Sequence, residues 1–430
     1  MNVLIKTKKF NIIITSAILA IAAFLIIFTG IQFKSFSNFE TYFNTDKVTE
    51  IQKLSKYSKN IKGTAGDTNI YIIKGPEAIN MDPRECPSIL ILGGTHPNEP
   101  AGQIAATLLL ENIKVKGNTI VYIITEANRS AYTHSHPQEA SPFYYSLSTK
   151  SGAERVFKFG SRATNTNEQW PNPDVYVHPS GQKLSTNDTR NLNRAYPGKE
   201  NGTYTEQVAY GITQLIIQND IKVTIDLHEA SPEYNNINSI VYHDDANMIA
   251  AKAQFELDMN DIIVAANISP KDLHGLTHRE LGDYTDTFAF LCETSNAAQG
   301  KIRGKFTEDL ITYYEPDKFY EAAWEVTEKY NSGDKSALKL LYARATSIDE
   351  RSARHLSTIM ALAVGYNQGV DSPKDTFRSI TVERQQVLVD CGKIDFELVF
   401  DGSSIGLKQM GYLYDCLIDN GVGYYLHDPK

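Results

Sequence analysis

Between Phe10 and Phe33 lie 24 consecutive residues without a charge, FNIIITSAILAIAAFLIIFTGIQF. As a helix this run is about 36 Å long, enough to cross a hydrocarbon core of ~30 Å. Lys6, Lys8 and Lys9 precede it, and no acid lies before Glu40. The bias of basic residues toward the cytoplasmic side then predicts a cytoplasmic segment 1–9 and a transmembrane anchor 10–33, with everything after it outside. A cleaved signal peptide has a shorter apolar core, ~7–15 residues, followed by small residues at the cleavage site. Thr29-Gly30 is a poor site of that kind, so the reading is an uncleaved signal anchor. No Cys follows the run closely, which excludes a lipoprotein anchor.

The rest of the chain is of another kind. Over 430 residues, 42% are apolar and 22% charged, the usage of a water-soluble globular protein. That excludes a mainly disordered chain, a collagen-like one and a many-span membrane protein. The formal net charge is −9, with 42 basic and 51 acidic residues. Setting aside the three leading lysines leaves 39 against 51, or −12, for the outer part. No basic stripe stands out, so no nucleic-acid partner is expected. The four cysteines, Cys86, Cys292, Cys391 and Cys416, form no CxxC pair, which argues against a thiolate zinc knuckle. A Cys391–Cys416 disulfide is permitted outside the cell, but the spacing does not require one.

Residues 34–66 are polar and aperiodic and read as a stalk. After Asp67 the pattern changes. NIYIIKG, SILILGG, TIVYIIT, KVTIDLH and TFAFLCE are short apolar runs of strand type. Helical patterns lie between them: PAGQIAATLLLEN, TEQVAYGITQLIIQN and NMIAAKAQFELDMNDIIVAAN. Buried strands alternating with helices predict an α/β domain over 67–370, with a mixed, largely parallel sheet flanked by helices. Residues 129–190 are irregular, which inside a compact domain points to function. Helices are expected near 316–331 and 336–366. TFRSITV, QQVLVDC, IDFELVF and VGYYLH suggest a small β-rich extension over 371–430.

Four motifs could carry chemistry. In ILILGGTHPNEPAG a strand runs into His96 and Glu99, three residues apart on a tight turn. Imidazole and carboxylate together suit Zn²⁺; alone, the pair is equally a surface His and a helix-start Glu favoured by the macrodipole. KVTIDLHEAS ends a second strand in His228, with Asp226 and Glu229 close by. Carboxylates often orient the free nitrogen of a liganding His, although a strand-end His can also be a core residue bonded to backbone. His96, Glu99 and His228 make a His₂Glu set, and catalytic zinc typically keeps three protein ligands and one open position. TFAFLCETSN ends a third strand in Glu293, a carboxylate that is costly there unless solvated, paired or functional. Beside a metal it could take a proton from water and return it to a leaving amine. TRNLNRAYPG packs Arg190, Asn193 and Arg194 into one loop, which could bind a carboxylate or could be a solvated basic turn.

The order HxxE, NLNR, DLH and ET resembles the zinc carboxypeptidase superfamily, and within it the succinylglutamate desuccinylase/aspartoacylase branch. GGTHPNEPAG is similar to that branch's G-x-H-G-N-E opening, with Pro97 in place of the usual Gly; NLNRAYPG is similar to its DLNRxFPG. The resemblance spans about residues 67–370. It implies one zinc per chain held by His96, Glu99 and His228, with Glu293 as general base. It implies that Asn193 and Arg194 hold a substrate carboxylate, and that a further Arg, either Arg162 or Arg190, polarises the scissile carbonyl.

The expected function is therefore a membrane-anchored, extracytoplasmic zinc hydrolase of an amide bond next to a carboxylate, a deacylase of N-acyl amino acids. A metallocarboxypeptidase acting on cell-wall peptides is the neighbouring alternative. A non-catalytic binding domain on the same fold is the alternative of another class, and the complete ligand set with Glu293 argues against it. GSSIG at 402–406 mimics a nucleophile elbow at Ser404, but only 24 residues follow it, too few for the acid and His of a serine hydrolase. His134 and His136 read as surface residues of a polar loop. His278 could line the cleft, without further support.

Overall fold

The computed structural model describes residues 2–134, 142–171, 175–232, 234, 236–299, 307–312 and 346–429. They fall into two units, Met1–Thr41 and Tyr42–Lys430. The first unit is a helix, α1 (Asn2–Asn38), whose stretch from Lys9 to Phe36 is long and apolar enough to cross a membrane.

The second unit is built on an eight-stranded sheet. Its strands are β1 (Glu50–Lys53), β2 (Asn69–Lys74), β3 (Ser88–Leu92), β4 (Ile120–Ile124), β5 (Val223–Ala230), β6 (Ser239–Tyr242), β7 (Ala265–Ile268) and β8 (Phe288–Ser295), in the spatial order β1-β2-β4-β3-β5-β8-β6-β7. The central run β4-β3-β5-β8 is parallel, as is β6-β7. The β1-β2, β2-β4 and β8-β6 pairings are antiparallel. The sheet is thus mixed and largely parallel. β3 and β4 are buried along their whole length, which is why they read as unbroken apolar runs rather than as alternating ones.

Helices cover both faces. Ile89, Ile91, Ile225 and Leu227 share one core with α2 (Pro100–Asn112), α4 (Asn247–Asp258) and α6 (Ile348–Asp371). Leu90, Leu92 and Ile124 point the other way, toward α3 (Tyr204–Asn219) and Leu281 of α5 (Thr277–Tyr284). This alternation is the period-2 geometry of a strand. The α2 backbone comes so close to β5 that a Cβ at Gly102 would lie 2.5 Å from the Leu227 carbonyl oxygen.

Several sequence expectations are corrected. The stalk is shorter than 34–66, because residues 42–66 fold with the body and β1 forms the edge of the sheet against β2. A four-residue edge strand with mostly exposed side chains leaves no apolar signal. The helix begun at Asn247 stops at Asp258; Asp261 takes φ 58°, and Ala265–Ile268 is a strand instead. The region 371–430 is a mixture of helix and strand. Gln385–Cys391 lies in α7 (Val382–Cys391), and Val422–Tyr425 is a 3-10 turn. Only Phe396–Phe400 and Ser403–Gly406 are strands, and Ile113–Val115 of the body completes their sheet. Together with α8 (Met410–Asn420) they bury Phe396, Leu398, Leu413 and Leu417 in the core of the second unit. A buried Arg155–Glu111 ion pair also binds the His427 carbonyl and the Tyr42 carbonyl, tying both ends of the unit together. The expected helix near 316–331 lies outside the described residues, and the one expected over 336–366 is described from Ile348.

Candidate functional site

The carboxyl ends of the parallel strands β3, β5 and β8 lie side by side, the usual place for ligands in such sheets. β3 leads into Gly93-Gly94. Gly94 has φ +67°, and a Cβ there would collide with the Tyr132 hydroxyl; only glycine makes this turn without strain. The turn brings His96 and Glu99 back over the strand ends, and α2 starts at Pro100. Glu99 occupies the N-cap position, yet its carboxylate makes no capping bond.

That carboxylate faces His96 and His228 instead. Glu99 Oε1 lies 2.9 Å from His96 Nδ1, and Oε2 lies 2.9 Å from His228 Nδ1. The two Nδ1 atoms are 3.1 Å apart. All three side chains are almost completely buried. Their far sides fix which nitrogens carry hydrogen. His228 Nε2 is 2.8 Å from Asp226 Oδ2, while Thr95 and Thr277 hydroxyls donate to the same Asp226 carboxylate. His96 Nε2 is 2.8 Å from Asn191 Oδ1, an oxygen that also accepts the Asn193 N–H at 3.0 Å. Both Nε2 atoms therefore donate outward. The two Nδ1 lone pairs and a carboxylate are left converging on one point, with their atoms within 4.8 Å of one another. Lone pairs so arranged repel unless a cation lies among them. The donor chemistry fits Zn²⁺, which takes imidazole nitrogen and carboxylate oxygen.

The electrostatics follow from this crowding. Burial and the Arg162 charge hold His96 down to about 4. Burial works against charge on His228 too, but Asp226 and Glu99 outweigh it and push this ring up to about 10. Glu99 lies well below the usual carboxylate range, because both imidazoles overcome the cost of its burial.

Glu293 stands directly beside His228 in the β5–β8 register and shares its face of the sheet. Its Oε2 is buried and finds no hydrogen-bond partner among the described residues. Burial pushes its pKa up to about 8; His228 opposes the rise and Glu99 adds to it. Glu293 and Glu99 line a cleft of about 820 Å³ with Arg162, Asp188, Arg194 and Tyr234.

The basic loop divides its residues. The Arg194 guanidinium is half-buried, donates to the Asn193 carbonyl at 2.7 Å and lines the cleft. Arg162 also lines it, 2.9 Å from Glu99 Oε1. Arg190 does not reach the cleft: it is buried and donates to the Thr164 carbonyl, so it holds the loop from behind. Asn193 is turned away from the cleft lining as well. Its Oδ1 accepts the Thr277 N–H at 2.9 Å, at the start of α5. The sequence reading missed Asn191 as the partner of His96, although it sits in the same NLNR block.

Other candidates resolve plainly. His278 is buried on Ser269 and does not line the cleft. His134 binds the Ala163 carbonyl, and His136 lies outside the described residues. Ser404 lies in a hairpin strand and bonds Glu397, so it forms no nucleophile elbow. The four cysteines are unpaired. A second cluster, His178, His274 and Glu280, is also compact. There His178 Nε2 donates to the Tyr196 carbonyl while Nδ1 meets Ser180, so that ring has no lone pair left for a metal.

No family model matches the chain, and no curated protein does. Among solved structures it is similar to a succinylglutamate desuccinylase from Silicibacter sp., with 14% identity over 53% of each chain and a TM-score of 0.32. It is also similar to a succinylglutamate desuccinylase/aspartoacylase from Rhodobacter sphaeroides (15% identity, 68% of this chain and 69% of that one, TM-score 0.34). A third is the cell shape determinant protein Csd4 from Helicobacter pylori, at 13% identity over 82% of this chain and 60% of that one, with a TM-score of 0.40. The chain spans about half the length of the Silicibacter protein. The first two carry the name of the branch that the motifs resemble.

Proposed function

We propose that this protein is a zinc-dependent hydrolase of an amide bond next to a carboxylate, with one metal per chain. The observation that carries the reading is the convergence of His96 Nδ1, His228 Nδ1 and the Glu99 carboxylate, both rings locked from behind, beside a buried carboxylate oxygen of Glu293 that has no hydrogen-bond partner among the described residues. His96, Glu99 and His228 would hold one zinc ion, which when bound would supply a Lewis acid and lower the pKa of water to about 7. Glu293 takes the proton from the attacking water and delivers it to the leaving amine. Arg194 receives the substrate carboxylate in the cleft, and Arg162 polarises the scissile carbonyl. Asn193 and Arg190 hold the loop that carries Arg194.

Deacylation of N-acyl amino acids is one form of this chemistry. The cleft favours the other, a carboxypeptidase: at about 820 Å³ it is near the upper end of the ~300–1,000 Å³ usual for small-ligand sites, so a peptide fits better than a short acyl group.

The test is a panel of N-acyl amino acids and short wall-type peptides, each with a free or an amidated terminal carboxylate, assayed with and without chelator. Hydrolysis should be much faster with the free carboxylate than with the amidated one and should stop with chelator. Arg194→Lys should lower kcat/KM on the free-carboxylate substrate by ~10-fold or more, since a point charge does not replace a bidentate fork. It should change slow hydrolysis of the amidated one far less. Equal losses on both would show that Arg194 only supports its loop.

We place the catalytic unit outside the cell membrane, held by α1. Support comes from the lysines before the apolar run and the exposure of its side chains from Phe10 to Phe33. Protease added to cells with permeable walls should digest the catalytic unit while a cytoplasmic control survives. Survival of both would reverse the topology.

A further inference from the structure

On the face of β5 opposite His228 lies a second pair of charges that the proposed reaction does not use. Glu229 and Arg351 are both fully buried, with Arg351 Nε 2.5 Å from Glu229 Oε1. Glu229 reaches the three segments that carry Glu99, His228 and Glu293. Its Oε2 accepts the Ala101 N–H at 2.9 Å, two residues beyond Glu99. The same oxygen accepts Asn296 Nδ2 at 3.2 Å, three residues beyond Glu293. The Glu229 N–H donates to Glu99 Oε2 at 3.0 Å, and Glu229 itself follows His228 in β5. Arg351 is fixed in turn. Its other two nitrogens donate to the Thr346 carbonyl at 2.5 Å and the Ile311 carbonyl at 2.7 Å.

Stability alone is a poor reason for this arrangement. Removing two charges from water consumes most of their mutual attraction, and well-packed apolar replacements are often neutral or stabilising. What an apolar pair cannot do is bind the orphan N–H of a helix first turn and a neighbouring amide from one point. We propose that Glu229 and Arg351 are a positioning pair, which fixes the start of α2 and the ends of β5 and β8 against one another. It thereby sets the distance from Glu99 to the two histidines and the approach of Glu293. This inference rests on the metal reading of the cleft above. Arg351 is suited to the role because its planar fork is held at three points, whereas a lysine offers one charge on a flexible stem.

The experiment uses the full chain in detergent and three readouts: zinc affinity by chelator competition, thermal unfolding, and kcat and KM on an amide the parent hydrolyses. Glu229→Gln/Arg351→Met removes both charges together. Arg351→Lys keeps the charge and loses the fork. In the double variant zinc affinity should fall ~10–100-fold, the usual cost of losing an outer partner of a metal ligand, while the unfolding temperature stays close to the parent's. In Arg351→Lys kcat should fall by ~10-fold or more with KM nearly unchanged, as expected when geometry at the reacting atoms is lost and ground-state binding is not. Parental zinc affinity and kcat in the double variant would overturn the proposal. Should the double variant not fold, parental values in Arg351→Lys would overturn it equally. A parent chain that holds no zinc removes the metal reading as well. A parent that holds zinc beside unaffected variants removes only the role of the pair.

Discussion

Glu293→Gln is expected to lower turnover by ~10²–10⁴-fold, the range contributed by a positioned acid–base group, while zinc still binds. Glutamine keeps the shape and one hydrogen-bonding oxygen but cannot carry the proton. The proposed ligands His96, Glu99 and His228 are untouched, so metal affinity should change little. A parental rate in this variant would make Glu293 a strand-end residue and nothing more. The same substitution has a signature in stability without metal. The folded pKa of Glu293 is raised from 4.5 to about 8. The folded chain therefore binds more protons than the unfolded chain between those values, and its stability falls as pH rises through that window. Glutamine does not titrate. With chelator present, the unfolding temperature of Glu293→Gln minus that of the parent should grow from pH 5 to pH 9, and a flat difference would mean that Glu293 is solvated.

The parts of this site that were legible in the sequence are those where one residue type has few roles. A His or Glu near the end of an apolar strand is costly to bury without a partner; β5 and β8 each carry one there, and His96 and Glu99 follow β3 across a glycine turn. The strands themselves were legible because burial on both faces leaves unbroken Ile, Val and Leu runs. The edges were not. β1, β6 and β7 are four residues each, and β7 adjoins a helical pattern that stops only at Met259-Asn260-Asp261. In the NLNR block, sequence supplied the residue types but not their directions. Arg190, Asn191, Asn193 and Arg194 stand within five positions, yet one faces the cleft, one binds His96 and two secure the loop. A 3-10 turn at Leu192–Arg194 sends neighbouring side chains to different sides, and no periodicity announces it. Arg351 was invisible for another reason: its partner Glu229 is 122 residues away, and only the packing of α6 against α2 and β8 brings them together.

Zinc should bind this chain by displacing a proton, and His228→Ala should abolish tight binding. In the metal-free fold the opposing lone pairs of His96 and His228 are 3.1 Å apart, and the field of Asp226 and Glu99 outweighs burial and holds a proton on His228 up to about pH 10. His96 stays neutral down to about pH 4. At neutral pH the site thus holds one proton where the lone pairs meet, and a metal must expel it. About one proton should be released per zinc bound, and affinity should climb with pH from 6 to 9. Titrating zinc into weakly buffered protein with a pH dye measures this directly. Release near zero would mean that the metal binds elsewhere, away from His228. The substitution gives the second arm. His228→Ala removes one of the three proposed ligands, and the loss should exceed the ~100-fold that changes around a ligand reach. A ligand that binds only the folded state raises its stability by mass action. Zinc should therefore raise the unfolding temperature of the parent and leave that of His228→Ala where it was. Asp226→Asn separates the ligand from its support: the amide can still meet His228 but no longer attracts its proton. Zinc should bind it more weakly than the parent, release fewer protons, and still bind it better than His228→Ala. If Asp226→Asn and His228→Ala lose zinc equally, Asp226 is required for the ligand set itself and not merely for its orientation.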